Sequence, residues 1–561
     1  MENCQELSTV WCSSLYKVLP GRDLDCCPYE SGTALRGERF SFQLAYRTDL
    51  FTRMPLKVQV SSPFGKALQM RNVELVPVEY PGWAFDDDYL DTKPGMYPDR
   101  LRDLSESVPC AVFGQWRSIW FTVDVPENHA PGKYEIEVTL SADFALQLTD
   151  VEFKALTVKK KFTLEVLNAV LPEQKLIYTN WFYCDCLSDY YQVEVFSREH
   201  WRIIENFMKQ AVRSGMNMIL TPLFTPPLDT AVGSERPTVQ LVDVEYKRGK
   251  YSFDFSKLEK WIALAKKCGI RYFEMNHLFS QWGAQFTPKI VASVNGRQKK
   301  IFGWNVKSDS PEYTGFLAAF LPELAAFLKR KRMTDKVIFH CSDEPHINHL
   351  EVYSKAMALL KKHLQGFKIM DALSSVDFYR KGVVEYPIPC ENTLDDFMAE
   401  KFPEVWTYYC CAPVTTYSNR FIAMPSSRNR VMGMLFYRYG VQGFLHWGYN
   451  FYYSQLSQFK IDPNRCTDAN LAFPAGDAFI VYPGNGGKAE ESIRGVVFGE
   501  AIQDQRALQL LETVMPRTEL LAMLDKTASG GTLKMADYPK GEKAILALRE
   551  ELNALVRKYF A

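Results

Sequence analysis

The sequence predicts a multidomain α/β chain in which an N-terminal β-sandwich precedes a (β/α)8 TIM-like barrel and a small C-terminal helical element. Three observations carry this expectation. At 561 residues the chain is too long for one ordinary domain, since about 100–200 residues per domain is usual. Its first part reads as short alternating strands, and its middle as a regular exchange of apolar strands with amphipathic helices. The spacing places the boundaries at residues 1–165, 170–455 and 456–561.

In the first segment, strands are expected at Arg39–Tyr46, Leu56–Val60, Val73–Val78, Ser118–Val125, Tyr134–Leu140 and Lys161–Val166. Turn signals such as Pro81-Gly82 and Pro131-Gly132 separate them, which is the rhythm of an antiparallel sandwich. From about Leu171 the rhythm changes. Strands are expected at Leu176–Tyr183, Met216–Leu223, Arg271–Met275, Lys336–His340, Phe367–Met370, Val405–Cys410 and Gly443–Trp447. Helices are expected at Ser197–Arg213, Phe255–Lys267, Pro311–Lys331, His349–His363 and Ser426–Tyr439. No glycine-rich dinucleotide fingerprint follows the first of these strands, so a closed barrel fits better than an open nucleotide-binding sheet. The tail then offers helices at Ser492–Met515 and Pro539–Tyr559.

Composition narrows the partner. Lysine plus arginine equals aspartate plus glutamate at 66 each, so the chain lacks the basic excess that nucleic acid or an anionic membrane surface attracts. No segment approaches the roughly 18 uninterrupted apolar residues of a membrane span. Met1–Val10 lacks a basic stretch followed by an apolar run, and the thirteen cysteines fall in no zinc or disulfide frame. The expectation is a cytoplasmic protein with reduced thiols, or a secreted one if a leader has been removed. No cofactor and no metal are expected. The partner expected is a small or neutral molecule.

The densest chemistry lies in Lys336–His346, KVIFHCSDEPH, where an apolar run ends in two adjacent carboxylates. In a barrel, catalytic groups sit at the C-terminal ends of strands. Neighbouring like charges with partial burial keep one carboxyl protonated near neutral pH, so Glu344 is the candidate general acid. Glycoside hydrolysis normally needs a second carboxylate, and Asp371, after its own strand, is the best remaining one. Asp343, however, can only accept hydrogen bonds while ionised, and the N–H of a 2-acetamido sugar is a matching donor. Held there, the acetamido oxygen would itself attack the anomeric carbon. Trp181, Asn276, His277, Trp282, Tyr408, Tyr409, Tyr417, Trp447, Tyr449 and Asn450 cluster at other strand ends and offer stacking faces and hydrogen-bonding rims for a sugar.

His340-Cys341-Ser342-Asp343-Glu344-Pro345, Asn276-His277 and the run Gly443–Tyr452 (GFLHWGYNFY) resemble proteins carrying the domain of unknown function 4091. These are related to glycoside hydrolase family 123, the β-N-acetylgalactosaminidases. The resemblance spans about residues 170–515 and includes Asp477–Gly484 with Ser492-Ile493-Arg494. It implies a retaining, substrate-assisted hydrolase in which Asp343 orients the acetamide and Glu344 is the acid/base. It also implies aromatic residues around the acetamido group, among which Tyr408, Tyr417 and Trp447 are candidates. Where many relatives continue with a Gly-Ile-Glu-Asp-Tyr-Glu-Tyr-like helix, this chain reads Glu500–Arg506 (EAIQDQR), which places it in a divergent branch. The expected partner is a carbohydrate ending in β-linked N-acetylhexosamine, and exposed aromatics would suit a homodimer. Two other readings stay open: a glycosidase with Asp371 as conventional nucleophile, and a non-catalytic glycan-binding barrel.

Overall fold

The computed structural model describes residues 7–50, 53–142 and 156–561. Of the Met1–Val10 stretch considered above, residues 1–6 lie outside the described residues. The chain divides into two compact units, one of residues 1–175, 414–438 and 490–561, the other of 176–413 and 439–489.

In the first unit a five-stranded antiparallel sheet runs in the order Ser8–Ser13, Arg39–Arg47, Arg117–Asp124, Leu68–Val78, Gly95–Asp103. A four-stranded sheet runs Ser31–Arg36, Leu156–Val170, Gly132–Ala142, Lys57–Ser61, parallel only at its first pair. Alternation of apolar and polar residues along Leu156–Val170 and Gly132–Ala142 sends one side chain in two inward. The inward residues of both sheets share one core, in which the Phe42 ring of the first stacks 3.9 Å from Phe162 of the second, with Phe121 5.2 Å away. All six strands expected here are present; Ser8–Ser13, Ser31–Arg36 and Gly95–Asp103 are additions.

The tail divides otherwise than the sequence rhythm indicates. Residues 456–489 fall in the second unit, while the helices Ile493–Leu511, Arg517–Asp525 and Glu542–Tyr559 fall in the first. So do Ser426–Arg430 and most of Met432–Tyr439, two helices where the sequence indicated one barrel helix. Buried ion pairs account for this grouping. Arg430 meets Asp504 at 2.8 Å and Glu500 at 3.1 Å, and Arg549 meets Asp504 at 2.6 Å and Glu38 at 2.7 Å. A Cβ on Gly433 would lie 1.8 Å from the Ala501 carbonyl oxygen, so only glycine permits that helix contact.

In the second unit, a five-stranded sheet holds Met218–Thr221, Tyr272–Met275, Val337–Phe339, Lys368–Leu373 and Tyr386–Pro389 in that order. A three-stranded sheet holds Ile177–Asn180, Gly443–His446 and Trp406–Tyr408. Every pairing in both is parallel. Hydrogen bonds link the two sheets at both margins: Asn217 N donates to Tyr178 O at 3.1 Å and Glu391 N to Tyr408 O at 2.9 Å. Tyr386–Pro389 is the strand that the sequence reading lacks, because Pro387 and Pro389 argue against a ladder strand. Helices Arg198–Arg213 and Pro311–Arg330 begin at Ser197 and Ser310, whose hydroxyls accept from the N–H three residues on. A further sheet, in the order Lys250–Asp254, Asp243–Lys247, Ile290–Val294, Arg297–Phe302, is built from loops that follow two of the parallel strands.

Candidate active site

The C-terminal ends of the parallel strands, Tyr386–Pro389 excepted, open into one cleft. Its wall is formed by Trp181, Tyr183, Leu228, Asp229, Gln281, Trp282, Asp343, Glu344, Ala372, Tyr408, Cys410, Cys411, Leu445, Trp447 and Phe473. It encloses about 610 Å³ counting its open mouth, within the roughly 300–1,000 Å³ of ligand clefts.

The strand Val337–Phe339 delivers the carboxylate pair. Beyond it the chain is held by its neighbours: Asp371 accepts from Cys341 N at 3.0 Å and Ser342 N at 3.2 Å, and Ser342 Oγ donates to Ser280 O at 2.8 Å. Trp282 N donates to Asp343 O at 2.8 Å. Glu344 then takes φ 41°, and two other wall residues, Asp229 at 41° and Trp282 at 59°, share that left-handed backbone. Such conformations cost about 1–3 kcal/mol each in non-glycine residues and persist where surrounding contacts impose them.

Burial, then the neighbouring Glu344 charge and that of Asp371, hold the Asp343 carboxyl well above the usual carboxylate range, with His340 opposing. Burial also raises Glu344, and the hydrogen bond from Tyr408 Oη to Glu344 Oε1 opposes that rise. The two groups titrate as a pair, and burial favours the protonated form of each. The Asp343 carboxyl accepts no hydrogen bond among the described residues, so it faces the cleft in want of a donor.

Beneath the pair lies a buried charge network. His340 donates to Glu274 Oε1 at 2.6 Å and to Asp371 Oδ1 at 3.2 Å. Burial alone would lower its pKa, but the hydrogen bonds to Asp371 and Glu274 prevail and push it up to about 10. Its ring stacks 4.5 Å from His277, which burial and the His340 charge keep well below the ordinary histidine value. Glu274 also accepts from Trp181 Nε1 at 2.7 Å and Thr179 Oγ1 at 2.8 Å, so one carboxylate fixes both a wall tryptophan and the histidine. His277, His340 and Asp371 present ligand-type atoms within 4.8 Å of one another, the one such trio among the described residues. Both His340 ring nitrogens are engaged, one by Glu274 and one by Asp371, so His340, Glu274 and Asp371 form an ion-pair network on which His277 stacks.

Of the residues singled out from sequence, Trp181, Trp282, Asp343, Glu344, Tyr408 and Trp447 line the cleft. The Trp447 ring is fixed by its Nε1 donating to Asp477 Oδ2 at 3.0 Å. Seven others do not line it. Asp371 is fully buried, with both oxygens occupied by the backbone of Cys341 and Ser342, by His340 and by the Tyr353 hydroxyl. Asn276 and His277 lie in the layer below. Tyr409 packs on Phe444 and His446, and Tyr449 donates to Phe207 O at 2.9 Å. Asn450 braces the Tyr183 backbone through two hydrogen bonds of 2.9 Å, and Tyr417 belongs to the first unit. Tyr183, Asp229, Gln281, Cys410, Cys411 and Phe473 are wall residues that sequence reasoning missed. For Asp229 a signal existed, an acid in the proline-rich loop Thr225–Thr230 just after an expected strand.

The model of the glycoside hydrolase 123 catalytic domain matches residues 181–511. Among solved structures, the chain is similar to a family 123 glycoside hydrolase from Clostridium perfringens, studied for glycolipid glycan hydrolysis. The TM-score is 0.74 at 14% identity, covering 99% of each chain. A family 2 member from Bacteroides cellulosilyticus aligns at TM-score 0.26 and 11% identity over 78% of this chain and 46% of its own. A family 5 mannosidase from Rhizomucor miehei aligns at 0.32 and 13% over 62% and 95%. No curated protein sequence matches the chain.

Proposed function

From the premise that the chain belongs to glycoside hydrolase family 123, we propose that it is a retaining exo-β-N-acetylhexosaminidase whose substrate is terminal β-linked N-acetylgalactosamine and whose nucleophile is the substrate's own acetamido group. In this reading the two parallel sheets are one (β/α)8 barrel, since hydrogen bonds join both margins and all of the parallel strands but Tyr386–Pro389 contribute to the same cleft at or beyond their C-terminal ends.

The observation that carries the reading is the pairing of a donor-less Asp343 carboxyl with a Glu344 held by Tyr408. An acetamido N–H would donate to Asp343, stabilise its anion and leave the pair's proton on Glu344. Glu344 then protonates the glycosidic oxygen as the acetamido oxygen attacks the anomeric carbon from the opposite face. The aglycone departs and an oxazolinium forms. Glu344, now a carboxylate, takes a proton from water, whose oxygen opens the ring from the face the aglycone left, so configuration is retained. Trp181, Trp282, Tyr408 and Trp447 offer faces to the sugar C–H bonds.

A conventional nucleophile would need a free carboxylate on the wall. Asp371 has none to give, and that role would pass to Asp229. The discriminating experiment compares an aryl N-acetyl-β-galactosaminide with its 2-hydroxyl counterpart. Wild type is expected to cleave only the first, with Asp343→Asn slowing it by about 10²–10⁴-fold, the usual worth of one catalytic group. Equal turnover of the hydroxyl compound would refute substrate assistance. Glycan binding without turnover, in wild type and Glu344→Gln alike, would leave a binding protein instead.

A further inference from the structure

We propose that Asp229 makes this cleft selective for uncharged sugar units, rejecting a ring that carries a sulfate ester or a carboxylate. The proposal rests on the glycosidase reading above and adds a specificity determinant to it.

Among the described residues the cleft wall contains three carboxylates, Asp229, Asp343 and Glu344, and no lysine or arginine. The cation beside it, Arg236, is buried and does not line the cleft. It is buried against Asp185 at 3.2 Å, and its guanidinium lies 5.3 Å from the centre of the Tyr183 ring. In that reading Asp343 and Glu344 share one proton and carry one negative charge between them, and Asp229 adds a second. Burial raises its carboxyl to about 6, with Leu456 N and Arg236 opposing, which leaves it ionised at pH 7.5.

Asp229 is also fixed in place. Its N–H donates to Gln281 Oε1, its Oδ2 accepts from Leu456 N at 3.0 Å, and its carbonyl accepts from Ser457 Oγ at 2.6 Å. Oδ1 has no partner among the described residues. A sugar hydroxyl can donate to that oxygen. A sulfate or carboxylate offers acceptors only, leaves Oδ1 unpaired and sets like charges together, the arrangement by which sites exclude wrong partners.

The test uses the full chain at pH 7.5 with an aryl N-acetyl-β-galactosaminide and its 6-O-sulfate. Wild type is expected to prefer the neutral substrate at least 100-fold in kcat/KM. Asp229→Asn, which keeps an acceptor for Leu456 N, is expected to narrow that preference at least tenfold, or about 1.4 kcal/mol. Calorimetric binding of N-acetylgalactosamine and its 6-sulfate to Glu344→Gln gives the same preference without turnover and without relying on the folding of the Asp229 variant. Equal handling of the two substrates by wild type, or an unchanged ratio in Asp229→Asn, overturns the proposal while leaving the glycosidase reading intact. If neither sugar is cleaved or bound, both fall.

Discussion

Replacing Asp371 by asparagine asks whether this carboxylate positions the catalytic strand or attacks the sugar. In the native site it accepts from Cys341 N, Ser342 N, His340 Nδ1 and the Tyr353 hydroxyl. An asparagine accepts through one atom only, and its NH2 then confronts donors. At least one charge-assisted bond of about 1.5–3 kcal/mol is lost, and buried donors are left unpaired. Losing one member of a buried ion pair typically costs about 3–5 kcal/mol, the expected destabilisation of Asp371→Asn in urea titrations at pH 7. The pH dependence has a definite sign. His340 is raised to about 10 in the folded chain from an ordinary 6.5, so its stabilisation is full below 6.5 and disappears as pH rises through 10. Without the Asp371 charge the folded value falls, so the loss begins at lower pH and the deficit shrinks toward pH 10. Activity of Asp371→Ala is expected to stay low when azide is supplied, because no attacking group has been removed. Restoration by azide, or a destabilisation below about 1 kcal/mol, would refute the positioning role.

Two further outcomes follow from burial alone. Phe162→Ala removes a ring stacked on Phe42 in the shared core of the first unit and is expected to cost about 3–5 kcal/mol of that unit's stability, read by denaturant midpoint. Glu391 is 2% exposed with both oxygens unpartnered among the described residues, and burial holds its carboxyl well above the ordinary value. An acid raised on folding loses stability as pH climbs above its unfolded value near 4.3. Glu391→Met is therefore expected to stabilise the chain by about 1–3 kcal/mol at pH 7 and by less at pH 4.

The strands of both units were legible wherever a period-2 or continuous apolar pattern filled them. Phe42, Phe121 and Phe162 stand on such strands. Tyr386–Pro389 was illegible for a stated reason: its prolines remove N–H groups, yet a short strand at the margin of its sheet, paired along one side, tolerates them. The grouping of the tail was hidden because it depends on Arg430 and Arg549 meeting Asp504. Arginines and aspartates read locally as surface residues, and only the fold shows that they neutralise one another in the interior.

The site divides along the same line. Asp343 and Glu344 were readable because a strand that ends in two acids is locally anomalous. Glu274 was not, since a single glutamate within Tyr272–Met275 looks like any solvated residue until Thr179, Trp181 and His340 converge on it. The distinction has a mechanistic consequence. Groups that touch substrate must break the apolar pattern at a strand end and so leave a mark in the sequence. Groups that position them act through distances of 2.6–3.2 Å between strands far apart in the chain, as Glu274, His340 and Asp371 do. Asp371 was chosen from sequence by the first criterion and belongs to the second class. A carboxylate that already accepts from two backbone amides, a tyrosine and an imidazolium has surrendered the lone pairs a nucleophile needs. The attacking atom must then come from another wall carboxylate or from the sugar itself. In the proposed reading it comes from the sugar, because Asp343 lines the cleft with no hydrogen-bond donor among the described residues and can receive an acetamide N–H.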